Sequence, residues 1–127
     1  MTPAERATKW NNEHYSIHRL HNILQQCEKR AARKGIPYTI DFKWFKHKAI
    51  DVGVCEDTGI PFDHTKPAEK NKKNPFSASI DRRDPTLGYT PENCKVVVWI
   101  HNRAKGDNDI GVLYFYCKAL VEAIEGK

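Results

Sequence analysis

The sequence predicts an α+β domain, mainly helical, with a hairpin and a helix at its centre, and three observations carry that prediction. Apolar residues step by three or four between Asn12 and Lys34 and again between Asp109 and Glu125, as on one face of a helix. Between these stretches lie a short extended segment, Ser77–Asp81, a turn-rich connection, Pro85–Asn93, and a β-branched run, Lys95–Trp99. At 127 residues the chain suffices for one modest core and is too short for several. A single domain over residues 1–127 is expected, with an N-terminal helical part over about 1–50, the hairpin and helix over about 77–107, and a closing helix over about 109–125.

In chain order, Ile17, Leu20, Leu24, Cys27 and Ala31 form the apolar stripe of the first helix, and Gly35-Ile36-Pro37 ends it. Its tail carries Lys29, Arg30, Arg33 and Lys34, which suit both the negative end of the helix dipole and a polyanion. A short helix is expected over Phe42–Ala49, then a turn over Cys55–Pro61, with Trp44, Phe45 and Ile50 in the core. Residues Asp63–Pro75 hold two prolines and four lysines without an apolar period, so they form a loop. Two strands and the helix starting near Ile100 would bring Asp81, at the end of one element, close to Asn102, at the start of the next. The closing helix repeats the step at Ile110, Leu113, Cys117, Leu120 and Ile124, and packing against the first helix through matching stripes is expected.

Lys and Arg number 21 against 16 Asp and Glu, giving a formal charge of +5, which suits a polyanionic partner. The N-terminus lacks an apolar signal core, and no run approaches the ~18 apolar residues of a membrane span, so a cytoplasmic protein is expected. Cys27, Cys55, Cys94 and Cys117 form no CxxC pair, and the histidines offer no zinc-finger spacing. Buried free thiols are expected, and no structural zinc.

The segment from Ser79 to Asp107 carries the chemistry. It contains Ser79-Ile80-Asp81-Arg82-Arg83-Asp84, Gly88-Tyr89-Thr90-Pro91-Glu92-Asn93 and Asn102-Arg103-Ala104-Lys105-Gly106-Asp107. These resemble the HNH endonucleases, the ββα-metal nucleases common in phages and mobile elements, and within them a subgroup with S-x-D-R-I-D, G-Y-T-x-x-N and N-x-x-K-x-D patterns. Arg33–Pro37 and Cys55–Pro61 are similar to what precedes the nuclease motif in that subgroup. The likeness covers roughly residues 30 to 107 and is specific in the last 30 of them.

The resemblance implies a ββα-metal core and one divalent ion, Mg²⁺ or Mn²⁺, held by Asp81 and Asn102 and otherwise by water and phosphate. Asn93 matches the middle Asn, which steadies the connecting loop through side-chain to backbone bonds. Taken singly, Asp81 also reads as a strand-end carboxylate, Asn93 as a turn residue and Asn102 as a helix cap.

The family pattern places a His after the first Asp, as the base that takes the proton of the attacking water. Here that position is Arg82, which stays protonated and cannot serve. Asp84, three residues after Asp81, matches the base position of the related D-R-G-H nucleases. His101, beside Asn102, is a second candidate, with His64 and Tyr89 more distant ones. A third route has no protein base and uses Arg82 or Arg83 to stabilise the transition state. Arg82, Arg83, Lys95, Arg103 and Lys105 are the first choices for phosphate contacts, with Lys70, Lys72 and Lys73 a second set. Double-stranded DNA cut with low specificity is the implied substrate, in a bacterial host cell. The alternative is a non-catalytic scaffold that binds DNA or inhibits a host or phage protein, with Arg82 as its supporting feature.

Overall fold

The computed structural model describes residues 1–126. Helix α1 spans Pro3–Lys34, beginning nine residues before the apolar stripe predicts. Thr2 Oγ1 accepts from Glu5 N at 3.1 Å and Pro3 opens the first turn, so capping starts the helix where no apolar face marks it. Every residue from Met1 to His14 is exposed, which is why the apolar step is silent there. Gly35 ends α1 at φ 65°, and its N–H reaches Ala31 O and Ala32 O.

Helix α2, Phe42–Lys46, is capped by Asp41 and runs on into a π-helical turn, His47–Val52. Strands β1 (Ala78–Arg82) and β2 (Cys94–Val98) form an antiparallel hairpin in the register Ala78↔Val98, Ile80↔Val96 and Arg82↔Cys94. Helix α3, Trp99–Lys105, follows β2 without a linker, and α4 spans Ile110–Glu125.

The hairpin takes part in two packings. Ala78, Ile80 and Val96 join Leu20, Leu24, Cys27 and Ala31 of α1, with Ile40, Phe45 and Ala49, in the main core. Trp44 and Ile50 pack against it half-buried. Each fully buried large side chain here, such as Leu20 or Phe45, contributes about 1.5–3 kcal/mol by leaving water. Val97, Val98 and Cys55 form a second, smaller cluster.

Gly88 pins the connection between the strands. A Cβ there would lie 2.5 Å from Pro37 O, so only glycine lets the loop lie against the segment after α1. Tyr89 N donates to Pro37 O at 2.8 Å and Thr39 N to Tyr89 O at 2.9 Å, fastening that approach.

Two expectations are corrected. Cys27, Cys55 and Cys94 are buried, but Cys117 is exposed. Helix α4 rests on α3 and buries only Leu113, while Ile110, Leu120 and Ile124 of the predicted stripe stay exposed instead of covering α1. The hairpin already fills the face of α1 on which Leu20, Leu24 and Cys27 lie.

Candidate active site

Asp81 and Asn102 come together because β1 and α3 pack directly. Asn102 Nδ2 donates to Ser79 Oγ at 2.7 Å and to Ile80 O at 3.1 Å, which fixes the amide and leaves Oδ1 without a protein partner among the described residues. Asp81 is 3% exposed. Its Oδ1 accepts from Lys105 Nζ at 3.2 Å, and its Oδ2, though buried, has no hydrogen-bond partner. Arg83 Nε lies 3.7 Å from that oxygen, close enough for charge attraction but not for a hydrogen bond.

Both residues line a cleft of about 660 Å³ between α1, β1, α3 and the Lys72–Asn74 segment. Arg19, Arg30, Lys34, Lys72, Lys73, Arg82 and Arg103 line it against only Asp81 and Asp107, so its potential is strongly positive. Two of these cations also build the wall. Arg19 donates to Ala78 O at 2.7 Å and Arg30 to the Tyr89 hydroxyl at 2.7 Å. Burial pulls the Arg19 pKa down, whereas the Tyr89 hydrogen bond raises that of Arg30.

Several residues singled out by sequence have other work. Lys105, a first choice for phosphate, is 1% exposed and locked on Asp81, because an ammonium buried there needs a counter-charge. Arg82 lies over the Tyr89 ring at 4.9 Å and donates to Pro85 O at 2.7 Å and Leu87 O at 3.2 Å, clamping the connection that Gly88 anchors. Asp84 is a turn residue. It accepts from Thr86 N at 2.9 Å and Thr86 Oγ1 at 2.6 Å, and these bonds hold its carboxyl below the usual range, the wrong direction for a base near neutral pH. Asn93 ties both ends of the same loop, donating to Asp84 O at 3.1 Å and Gly88 O at 2.9 Å and accepting from Asp84 N at 3.0 Å.

Asp57, in the Cys55–Pro61 turn, is the organising residue that the sequence reading missed. It accepts from Arg83 through a short ion pair and from His101 Nε2 at 2.8 Å, and Lys95 Nζ lies 3.8 Å away. One carboxylate thereby joins the turn, the end of β1, β2 and α3. Burial works to raise its pKa, but the bonds and charge of Arg83, then of His101, outweigh that and hold it below the ordinary value. Arg83 and His101 are thus engaged in this network. His101 does not line the cleft; His18 of α1 does, and it is the one histidine among the described residues that line it. Its place in the helix pattern, on neither the apolar stripe nor a motif, left it without a signal. His64 is also occupied, its Nε2 3.0 Å from Ala49 O. The buried thiols are unreactive neighbours: burial pushes Cys27 up to about 11 and Cys94 up to about 12. Lys72, Lys73 and Arg103 stay exposed at the cleft, Lys95 is half exposed, and Lys70 is exposed on the loop.

No family model and no curated protein matches the sequence. Among solved structures, the rare-cutting HNH restriction endonuclease PacI superposes with a TM-score of 0.56, covering 84% of this chain and 80% of that one at 21% identity. The chain has the fold of an HNH endonuclease. In the HNH fold the hairpin and α3 form the ββα unit, and here that unit carries Asp81 and Asn102 on one wall of the basic cleft.

HNH nucleases generally use a divalent metal. The donors fit such an ion. Asp81 supplies a buried carboxylate oxygen lacking a hydrogen bond, and Asn102 a neutral amide oxygen whose nitrogen end is already fixed. Among the described residues no group of three or more His, Cys, Asp or Glu is arranged to hold a metal. No helix among the described residues is long and apolar enough to cross a membrane.

Proposed function

We propose that the protein is a divalent-metal-dependent endonuclease that hydrolyses phosphodiester bonds of DNA at Asp81 and Asn102. The observation that carries the reading is the buried Asp81 carboxylate, with one oxygen lacking a hydrogen bond, on the wall of a cleft lined by cations. PacI is an HNH restriction endonuclease of the same fold, which supports DNA as the substrate class.

Asp81 and Asn102 would hold one Mg²⁺ or Mn²⁺ through their side-chain oxygens. The chemistry such an ion would supply is polarisation of the scissile phosphate and relief of the charge that builds in the transition state. The chain's own side chains do the rest. Lys72, Lys73 and Arg103 contact phosphates on either side of the scissile one, while Arg19 and Arg30 add positive potential from the wall they build. Such contacts position a duplex without reading bases, so low sequence specificity follows. His18 faces the same cleft and takes the proton of the attacking water on a ring nitrogen, replacing the base that Arg82 cannot be. Lys105 holds Asp81 in one orientation and lowers the repulsion between that carboxylate and the incoming phosphate.

Nicking of supercoiled plasmid with Mg²⁺, Mn²⁺ or EDTA tests this, comparing wild type with Asn102→Ala, His18→Ala and His101→Ala. Nicking that needs the metal, disappears in Asn102→Ala, falls roughly 10²- to 10⁴-fold in His18→Ala and survives in His101→Ala is expected. Full activity in His18→Ala removes the base assignment. Intact plasmid with wild type under every metal removes the nuclease.

A further inference from the structure

Two buried side-chain atoms lack a hydrogen-bond partner among the described residues, and they are neighbours. They are Asp81 Oδ2, an acceptor, and Arg83 Nε, a donor, 3.7 Å apart. A hydrogen bond between them needs about 2.7–3.2 Å, so a shift of less than about 1 Å would satisfy both. Leaving both unmade is costly, and an arginine ordinarily closes on so near a carboxylate. Other contacts must hold the pair apart.

The Arg83 guanidinium is held by Asp57. Its Nη2 makes the short ion pair with Asp57 Oδ2, while the Arg83 backbone N–H donates to Asn93 O at 2.7 Å. Asp57 is itself anchored, with His101 Nε2 at 2.8 Å from Oδ2 and Lys95 Nζ at 3.8 Å from Oδ1. Its turn is fastened to β2, since Glu56 N donates to Val96 O at 3.0 Å and Val96 N to Glu56 Oε2 at 2.6 Å. Asp81 is fixed as well, because Lys105 Nζ donates to its Oδ1 at 3.2 Å. Both sides of the missing bond are therefore committed to other partners.

We propose that Asp57 is a positioning residue for the cation site: it holds the Arg83 guanidinium short of Asp81 and so keeps Oδ2 open to a divalent ion. This role rests on the reading of Asp81 and Asn102 as the ligands of that ion. Without Asp57 the guanidinium loses its ion-pair partner and closes on Oδ2, and an ion then has to displace a charge-assisted hydrogen bond. A purely structural Asp57 would matter whatever side chain stood at position 83, and so would a direct attraction between its charge and the ion. A restraint on Arg83 matters only while Arg83 is there.

Titration with Mn²⁺ into the millimolar range, with the free ion followed by electron paramagnetic resonance, reads the site without any cleavage. Wild type is expected to bind an ion that Asp81→Asn does not bind. Asp57→Asn should bind it about 10-fold more weakly or worse, with unchanged helix content by circular dichroism. Arg83→Gln should bind at least as tightly as wild type, since a cation 3.7 Å from the ligand oxygen has gone. In the Arg83→Gln background, Asp57→Asn should change the affinity by less than about 2-fold. Asp57→Ser, a residue that turns accept, repeats the reading if Asp57→Asn unfolds. Wild-type affinity in Asp57→Asn overturns the proposal, and so does a loss of the same size with and without Arg83. Both results leave the metal site standing. A wild type that binds no ion removes that site, and the restraint with it.

Discussion

Replacing Lys105 by Met keeps the length of the side chain and removes the ammonium 3.2 Å from Asp81 Oδ1. Lys105 is 1% and Asp81 3% exposed, so water replaces the lost partner poorly. Breaking a buried pair by removing one member costs about 3–5 kcal/mol, since the other charge is left uncompensated. Arg83 remains 3.7 Å from Oδ2 and offsets part of this, which puts the expected loss near the lower end, about 3 kcal/mol. For a domain of this size that is a fall of about 10 °C in Tm. Urea unfolding followed by circular dichroism measures it. The double variant Lys105→Met with Asp81→Asn removes both charges and should recover about half or more of the loss, because the penalty lies in the orphaned carboxylate rather than in a missing attraction. A single variant within 0.5 kcal/mol of wild type, or a double variant no more stable than the single one, would refute the reasoning.

Three further outcomes are expected. Gly88→Ala drives a methyl to 2.5 Å from Pro37 O and should cost about 2–3 kcal/mol, read as a lower urea midpoint; an unchanged midpoint would show that the loop has room to move. The Asp57 carboxyl is held below its ordinary 3.8 in the folded protein, so its contribution is fully present above about pH 4 and is lost as pH falls through the lower folded value. Asp57→Asn should therefore flatten the decline of stability between pH 4 and pH 2, and an equally steep decline would contradict the network. The double variant Lys72→Ala and Lys73→Ala should weaken binding of any duplex about equally and reduce the slope of log affinity against log salt by about 2, whereas an unchanged slope places the DNA elsewhere.

Much of the fold was legible because it is written locally. The steps at Leu20, Leu24, Cys27 and Ala31, and the β-branched run Val96–Val98, each mark an element whose own neighbours cover it. Asp81 and Asn102 could be paired in advance because a hairpin leading straight into a helix has few ways to close. What stayed hidden depends on partners distant in sequence. Lys105 reads as a surface lysine until β1 packs on α3 and supplies Asp81. Asp57 looks like any turn carboxylate until Arg83, 26 residues on, and His101, 44 residues on, converge on it. His18 carries no motif at all and lines the cleft only because α1 forms part of its wall. The α4 stripe is legible as apolar, but a pattern does not record what a face packs against, and in the structure Ile110, Leu120 and Ile124 stay exposed.

The measurement that bears most directly on the central claim is plasmid nicking by wild type and by Asp81→Asn, at equal folded concentration, with Mg²⁺ and with EDTA. The account predicts metal-dependent nicking by wild type and a loss of at least about 100-fold in Asp81→Asn, which keeps the shape of the side chain and removes the anionic oxygen. Nicking by Asp81→Asn at the wild-type rate, or nicking by wild type undiminished in EDTA, would contradict it.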